Sequence, residues 1–231
     1  MIIMTQLAID FSAPVRPQGP SAKGRALAGP SSIEERAGRD LPPEVYTRDE
    51  VQRLLDGPLG RNEKTRTRNR ALLVVMWRAG LRVSEALDLR MEDLRPEEGG
   101  VWVRRGKGGK PRLAGMDTES FEALQPWLEL RAGLGLDPSG PVFCTFTGRE
   151  VQSSYVRHMC RRLRSKLGLS KRVHAHALRH THAHELFREG VAEKLIQVQL
   201  GHASLESTDK YLRKIGANEA VAVVRGRGWG S

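Results

Sequence analysis

Residues 172–187 read RVHAHALRHTHAHELF and hold five of the chain's seven histidines. If 175–187 is helical, His176, His180 and His184 recur every four residues and share one face. That spacing first suggests a metal site. A zinc-binding helix, however, carries H-E-x-x-H or is joined by cysteine ligands. Here His184-Glu185 is followed at the fifth place by Arg188, and Cys144 and Cys160 stand apart without C-x-x-C spacing. Arg179 sits inside the cluster, and a fixed cation opposes the binding of another. Arginine and histidine projecting together suit an anion, above all phosphate. Taken singly, each histidine is equally well a core or surface residue without a chemical task, so the rest of the chain has to decide.

Working outward, charge narrows the partners. Against 38 Lys and Arg stand 27 Asp and Glu, a net of +11 with an isoelectric point near 10.2. That balance favours a polyanion, most simply nucleic acid. The cations cluster in "RNEKTRTRNR" (61–70), "RRGKGGKPR" (104–112) and "RHMCRRLRSKLGLSKR" (157–172), each expected beside a segment that carries chemistry. Apolar residues make up 39%, and no run is long enough to span a bilayer, so no membrane partner is expected. The start, "MIIMTQLAID", lacks the basic n-region of a secretory signal. Two unpaired cysteines imply a reducing compartment, which points to the cytoplasm.

Residues 1–40 are rich in Pro, Gly, Ser and Ala without a helical period, which predicts disorder. From 41 onward the pattern is globular. Thr47 with Glu50 three residues on forms a capping box ahead of Val51, Leu54 and Leu55. "TRNRALLVVMWRAG" (67–80) reads as a buried helix ending at Gly80, and "VSEALDL" (83–89) as a short one. "VWVRR" (101–105), the turn "GKGGK" (106–110) and "PRLAG" (111–115) read as a β-hairpin. A helix follows over 117–133, kinked at Pro126, then a short buried strand "PVFC" (141–144). An amphipathic helix ends at Gly168, and three more are predicted over 176–188, 191–200 and 204–214. The expected fold class is mainly α with one small antiparallel sheet.

Four stretches, "GLRVSEALDL" (80–89), "RGKGGK" (105–110), "HALRH" (176–180) and "LGHASLESTDKYL" (200–212), stand in an order and spacing that resemble the signature of the tyrosine recombinases, the phage-integrase family of DNA strand-exchange enzymes. The resemblance covers roughly 41–214 and implies that family's catalytic-domain fold, shared with other DNA breaking-rejoining enzymes. Residues 215–231 then form a tail, and relatives dock the corresponding segment into a neighbouring subunit. Many relatives also carry a helical clamp domain ahead of the catalytic one, so the chain is expected to be a catalytic-domain-only or truncated member.

Cleaving a phosphodiester without a metal or nucleotide cofactor needs a nucleophile, cations on the non-bridging oxygens and an acid for the leaving oxygen. The resemblance assigns these roles to Tyr211 as nucleophile, Arg82 and Arg179 as the paired arginines, Lys107 as general acid, His176 as proton handler for Tyr211, and His202 as phosphate donor. Glu85 and His180 support the site from behind. Lys110, Arg104, Arg105, Arg112, Arg161 and Arg162 are expected on the DNA backbone, while His174, His182 and His184 receive no role. The implied partner is double-stranded DNA, bound by a homo-oligomer that the family pattern makes a tetramer, with accessory DNA-binding proteins as further partners. Rival readings are a type IB topoisomerase, a catalytically idle DNA-binding relative and, more weakly, a metal-dependent nuclease. The six catalytic residues are all present, which speaks against the idle relative.

Overall fold

The computed structural model describes residues 44–106 and 110–201. Helix α1, Arg48–Asp56, starts as its capping box requires: the Glu50 amide donates to Thr47 Oγ1 at 3.2 Å, and the Thr47 amide donates to Glu50 Oε2 at 2.8 Å. Helix α2, Glu63–Arg78, begins four residues before the expected start at Thr67, because Asn62 Oδ1 accepts the Thr65 amide at 2.9 Å and caps a polar first turn. Its apolar half, including Leu72, Leu73, Val75 and Met76, is buried. The basic stretch 61–70 therefore occupies the end of α2 remote from Gly80, roughly 23 Å away at about 1.5 Å per residue. Far from flanking the chemistry, Arg68 is buried there, donating to the Cys144 carbonyl at 3.2 Å beneath the rings of Phe146 and Tyr155.

Gly80 turns the chain with φ +61° into α3, Val83–Asp88. The sheet has three antiparallel strands in the order β1 (Leu94–Arg95), β2 (Gly100–Val103) and β3 (Arg112–Gly115). The predicted hairpin is β2–β3, with Val101 opposite Ala114 and Val103 opposite Arg112. Its turn is closed by the Gly106 amide donating to the Lys110 carbonyl at 3.1 Å. Strand β1 went unread because two residues carry no alternation.

Helix α4, Thr118–Gly133, runs through Pro126. A strand is expected over "PVFC", yet none forms: only isolated bridges join Arg90 to Pro141 and Cys144 to Glu150. Side chains satisfy much of this buried backbone instead. Trp127 Nε1 donates to the Val142 carbonyl at 2.8 Å, Arg68 to Cys144, and Arg131 Nε to the Pro141 carbonyl at 3.2 Å. Helices α5 (Ser153–Leu167), α6 (Ala175–Arg188) and α7 (Glu193–Leu200) complete the described residues. The predicted helix over 204–214 and the expectations for 1–40 and 215–231 lie outside them.

Helix α2 packs along α4 on one side and α6 on the other. The core around these three is continuous from Tyr46 to Leu178, with a smaller cluster of Ala183, Ile196 and Leu200 between α6 and α7. Among the described residues no helix is long and apolar enough to cross a membrane. The effect of this packing is to bring Gly80, the start of α3, the hairpin, α6 and the end of α7 to one place.

Candidate active site

Glu85 is the centre of that place. Helix α3 begins at Arg82, whose amide donates to Glu85 Oε2 at 2.9 Å, so the helix start itself aims the carboxylate inward. Three guanidinium groups converge on it. Arg82 Nη1 donates to Oε1 at 2.6 Å, Arg112 forks onto both oxygens at 3.1 and 3.0 Å, and Arg179 Nη1 reaches Oε2 at 3.4 Å. The Glu85 side chain is 2% exposed. Burial alone raises a carboxyl pKa, but hydrogen bonds from Arg112 and the Arg82 amide and the charges of Arg112 and Arg179 overcome it, holding Glu85 down at about 2. One negative and three positive charges leave a surplus of two positive charges in a nearly water-free site. The surplus registers on Arg179, which burial first, and then Arg82, lowers to about 9, so it stays protonated at neutral pH.

Arg179 lies deeper than a surface phosphate contact does, with its side chain 2% exposed. Nη1 donates to the Gly80 carbonyl at 2.7 Å as well as to Glu85, and Nη2 donates to the Leu200 carbonyl. Three of its five donors are thereby taken among the described residues. Arg82, with 26% of its side chain exposed, is the more open member of the pair.

His176, in the first turn of α6, is exposed to solvent. The packed side of its ring, and then Arg179, His174 and Arg82, push its pKa below the usual histidine value, so it is neutral at pH 7 and able to accept a proton. The His180 ring meets it edge-on, centroids 4.3 Å apart, which suits the supporting place expected for His180. His174 and His182 serve the scaffold. His174 Nε2 pairs with Glu44 at 3.3 Å, and buried His182 approaches the Gln199 side chain through Nε2 at 3.2 Å. Lys107, His202 and Tyr211 lie outside the described residues, though both chain ends that lead to them converge here: Gly106 and Lys110 on the hairpin, and Gly201 after α7.

The six expected DNA contacts divide. Arg105, Lys110, Arg161 and Arg162 are exposed. Arg104 is exposed as well, but donates from Nε to Asp93 at 2.7 and 3.0 Å and from Nη2 to Glu92, so its charge is answered by carboxylates just before β1. Arg112 turns inward. Its side chain is 9% exposed, because Glu85 draws the guanidinium inward, and Nε also donates to the Gln199 carbonyl at 3.1 Å. Gln199 was missed in the sequence. Its side-chain amide pairs with both backbone groups of Gly115, 2.8 Å each way, and fastens α7 to β3. No local signal marks a glutamine for that task.

A helical domain whose buried carboxylate gathers arginines from three separate segments, with a hairpin turn and a helix end beside them, carries a surplus of positive charge that favours an anion. The chain belongs to the phage integrase family, whose pattern matches residues 44–216. It is 34% identical over 175 residues to tyrosine recombinase XerC of Thermodesulfovibrio yellowstonii, covering 73% of this chain and 57% of that relative. Among solved structures it is similar to XerA recombinase, at 30% identity and a TM-score of 0.65, covering 77% of this chain and 64% of that one. It is also similar to XerH site-specific recombinase bound to its difH substrate before cleavage, at 29% identity and a TM-score of 0.63, covering 74% and 50%. The chain thus spans between half and two thirds of the length of these relatives.

Proposed function

We propose that the chain is a site-specific recombinase that cleaves and rejoins double-stranded DNA through a covalent 3′-phosphotyrosyl intermediate, with no metal or nucleotide cofactor. The phenolic oxygen of Tyr211 bonds to phosphorus and gives its proton to His176. The bond from phosphorus to the 5′-oxygen breaks, and Lys107 protonates that oxygen as it leaves. The reverse step, with a 5′-hydroxyl from another strand, reseals the DNA and frees the tyrosine. Arg82, the remaining donors of Arg179 and His202 hold the non-bridging oxygens, while Glu85 and His180 fix the arginines and His176 from behind. Arg105, Lys110, Arg161 and Arg162 grip the flanking backbone.

The observation that carries this reading is the double positive surplus around Glu85, which a phosphodiester in that place would offset. The tyrosines add support. The sequence has three, and two are engaged in the scaffold. The Tyr46 hydroxyl donates to the Arg172 carbonyl and accepts the His174 amide, and burial raises its pKa. The Tyr155 hydroxyl accepts from Asn69 at 2.8 Å. That leaves Tyr211.

The protein acts in the cytoplasm as a homo-oligomer on DNA, a tetramer across two duplexes, with accessory DNA-binding proteins as further partners. Its tail, 215–231, docks on a neighbouring subunit. Leu195 and Val198, 61% and 58% exposed on α7, are apolar surface suited to receive a segment such as "EAVAVV" (219–224). The test is capture of a protein–DNA adduct that survives denaturation on a nicked genomic fragment pool. Wild type is expected to form it in the presence of EDTA, and Tyr211→Phe to form none while binding DNA as before. Sequencing the captured ends then gives the recognition site. A wild type that forms no more adduct than the variant overturns the assignment.

A further inference from the structure

The guanidinium of Arg112 meets Glu85, the end of α7 and both ends of chain that lead to Lys107 and His202. It forks onto Glu85, the anchor of Arg82 and Arg179. Its Nε donates to the Gln199 carbonyl, and Arg179 donates to the next one, Leu200. These are two of the carbonyls a helix leaves without partners in its last turn, where the helix dipole also favours cations. The end of α7 is thus held by two arginines of the site, and the chain leaves it at Gly201 directly into His202. Gly201 packs on the same guanidinium so closely, with φ +63°, that a Cβ there would stand 2.7 Å from Arg112 Nη1 and 2.8 Å from Cζ. On the other side Gly106, the first residue of the turn that carries Lys107, packs on Arg112 as well, where a Cβ would lie 3.2 Å from Nη1. Arg112 itself stands two residues after Lys110, whose carbonyl closes that turn.

We infer that Arg112 is a positioning residue that locks the Lys107 turn and the His202 helix end onto the Glu85 arginine cluster, so that acid, cations and nucleophile-bearing segment are brought to one phosphate together. The planar fork is essential to this, since Glu85, Gln199 and the two glycines approach it from different directions. A lysine, a point charge on a flexible stem, serves one of them at a time. The inference rests on the reading of Lys107 as the acid and Tyr211 as the nucleophile.

The experiment uses a duplex of the site recovered from Tyr211, made with oxygen or with sulfur at the scissile 5′ position. A thiolate leaves without protonation, so sulfur bypasses a missing acid. Under single turnover at saturating DNA, Arg112→Ala is expected to cleave the oxygen duplex about 10²–10³-fold slower than wild type. Its affinity should stay within about threefold, because a buried fork adds little to a backbone-dominated interface. On the sulfur duplex Arg112→Ala and Lys107→Ala should both recover at least about tenfold, while His176→Ala should not. Equal defects on both duplexes, or normal cleavage at saturation with weakened binding, would overturn the inference in favour of a merely structural or a DNA-contact role. Should Arg112→Ala not fold, Arg112→Lys carries the same comparison with the same deciding outcomes. A wild type that forms no adduct sinks the Tyr211 reading itself, which separates that failure from this one.

Discussion

Two clusters of arginine and carboxylate stand on either side of Gly80, and they sum to opposite charge. Beyond it, one carboxylate, Glu85, holds three arginines. Before it, one arginine, Arg78, lies between two carboxylates, 2.8 Å from Asp117 and 3.5 Å from Glu185, with its guanidinium over the Trp77 ring. Both glutamates are withdrawn from water, yet their pKa values move apart. Burial raises Glu185 despite hydrogen bonding from Trp77, whereas the arginines hold Glu85 at about 2. The difference teaches how to tell a joint from a site. Around Arg78 the acids outnumber the cation, so the cluster asks for no anion and fastens α2 to α4 and α6. Around Glu85 the cations are in excess, which favours an incoming phosphate.

Breaking each cluster in the same way should separate them. Glu85→Gln turns one acceptor of the arginine forks into a donor and leaves the buried cations unanswered, at a cost of about 3–5 kcal/mol of stability. Glu185→Gln keeps an acceptor for Trp77 beside a partly exposed arginine and should cost under about 1 kcal/mol. Urea denaturation midpoints compare the two, and equal losses would erase the distinction.

His182 sharpens the comparison, because it lies between the clusters. Burial, then Arg78 and Arg179, lower its pKa to about 4 against a partial rise from Asp117. The folded protein thus holds this histidine neutral, while the unfolded chain protonates near 6.5. Its contribution is fully present above about pH 6.5 and is lost as pH falls towards 4, by roughly 2–3 kcal/mol. Glu85 acts lower: its contribution is present above about pH 4.5 and is lost progressively as pH falls from there towards 2. Thermal melts between pH 7 and 4 should therefore fall for wild type and fall less steeply for His182→Leu, whose remaining slope includes that of His176, also lowered to about 4. A variant as steep as wild type would place the titration elsewhere.

The smallest effect concerns cations outside both clusters. Arg161 on α5 is exposed, and removing it should lower the slope of log affinity against log salt by about one, with cleavage at saturation unchanged. An unchanged slope would show that α5 does not meet the DNA backbone.

What could be read in the chain follows from how local its signals are. The Thr47–Glu50 capping box, the end of α2 before Gly80 and the stop of α5 at Gly168 all depend on residues within one turn of each other. Arg82 and Glu85 are likewise three residues apart, so their pairing was legible. "PVFC" was not, because its carbonyls at Pro141, Val142 and Cys144 are met by side chains of Arg131, Trp127 and Arg68 from two helices. Arg112 looked like one more cation in a basic stretch, and nothing near it in sequence announces Glu85, 27 positions away, or Gln199, 87 positions away.

By itself the sequence determined the kinds of group available: an excess of cations over carboxylates, histidines at helical spacing, and three tyrosines of which one, Tyr211, stands in the family's motif. It determined most helix limits as well, since caps and apolar periods act over a few residues. Only the tertiary structure decided which of those cations face outward and which turn inward. That choice depends on where a buried carboxylate and the end of α7 come to lie, and a charge withdrawn from water settles wherever an opposite charge or free carbonyl, however distant along the chain, is brought within hydrogen-bonding distance.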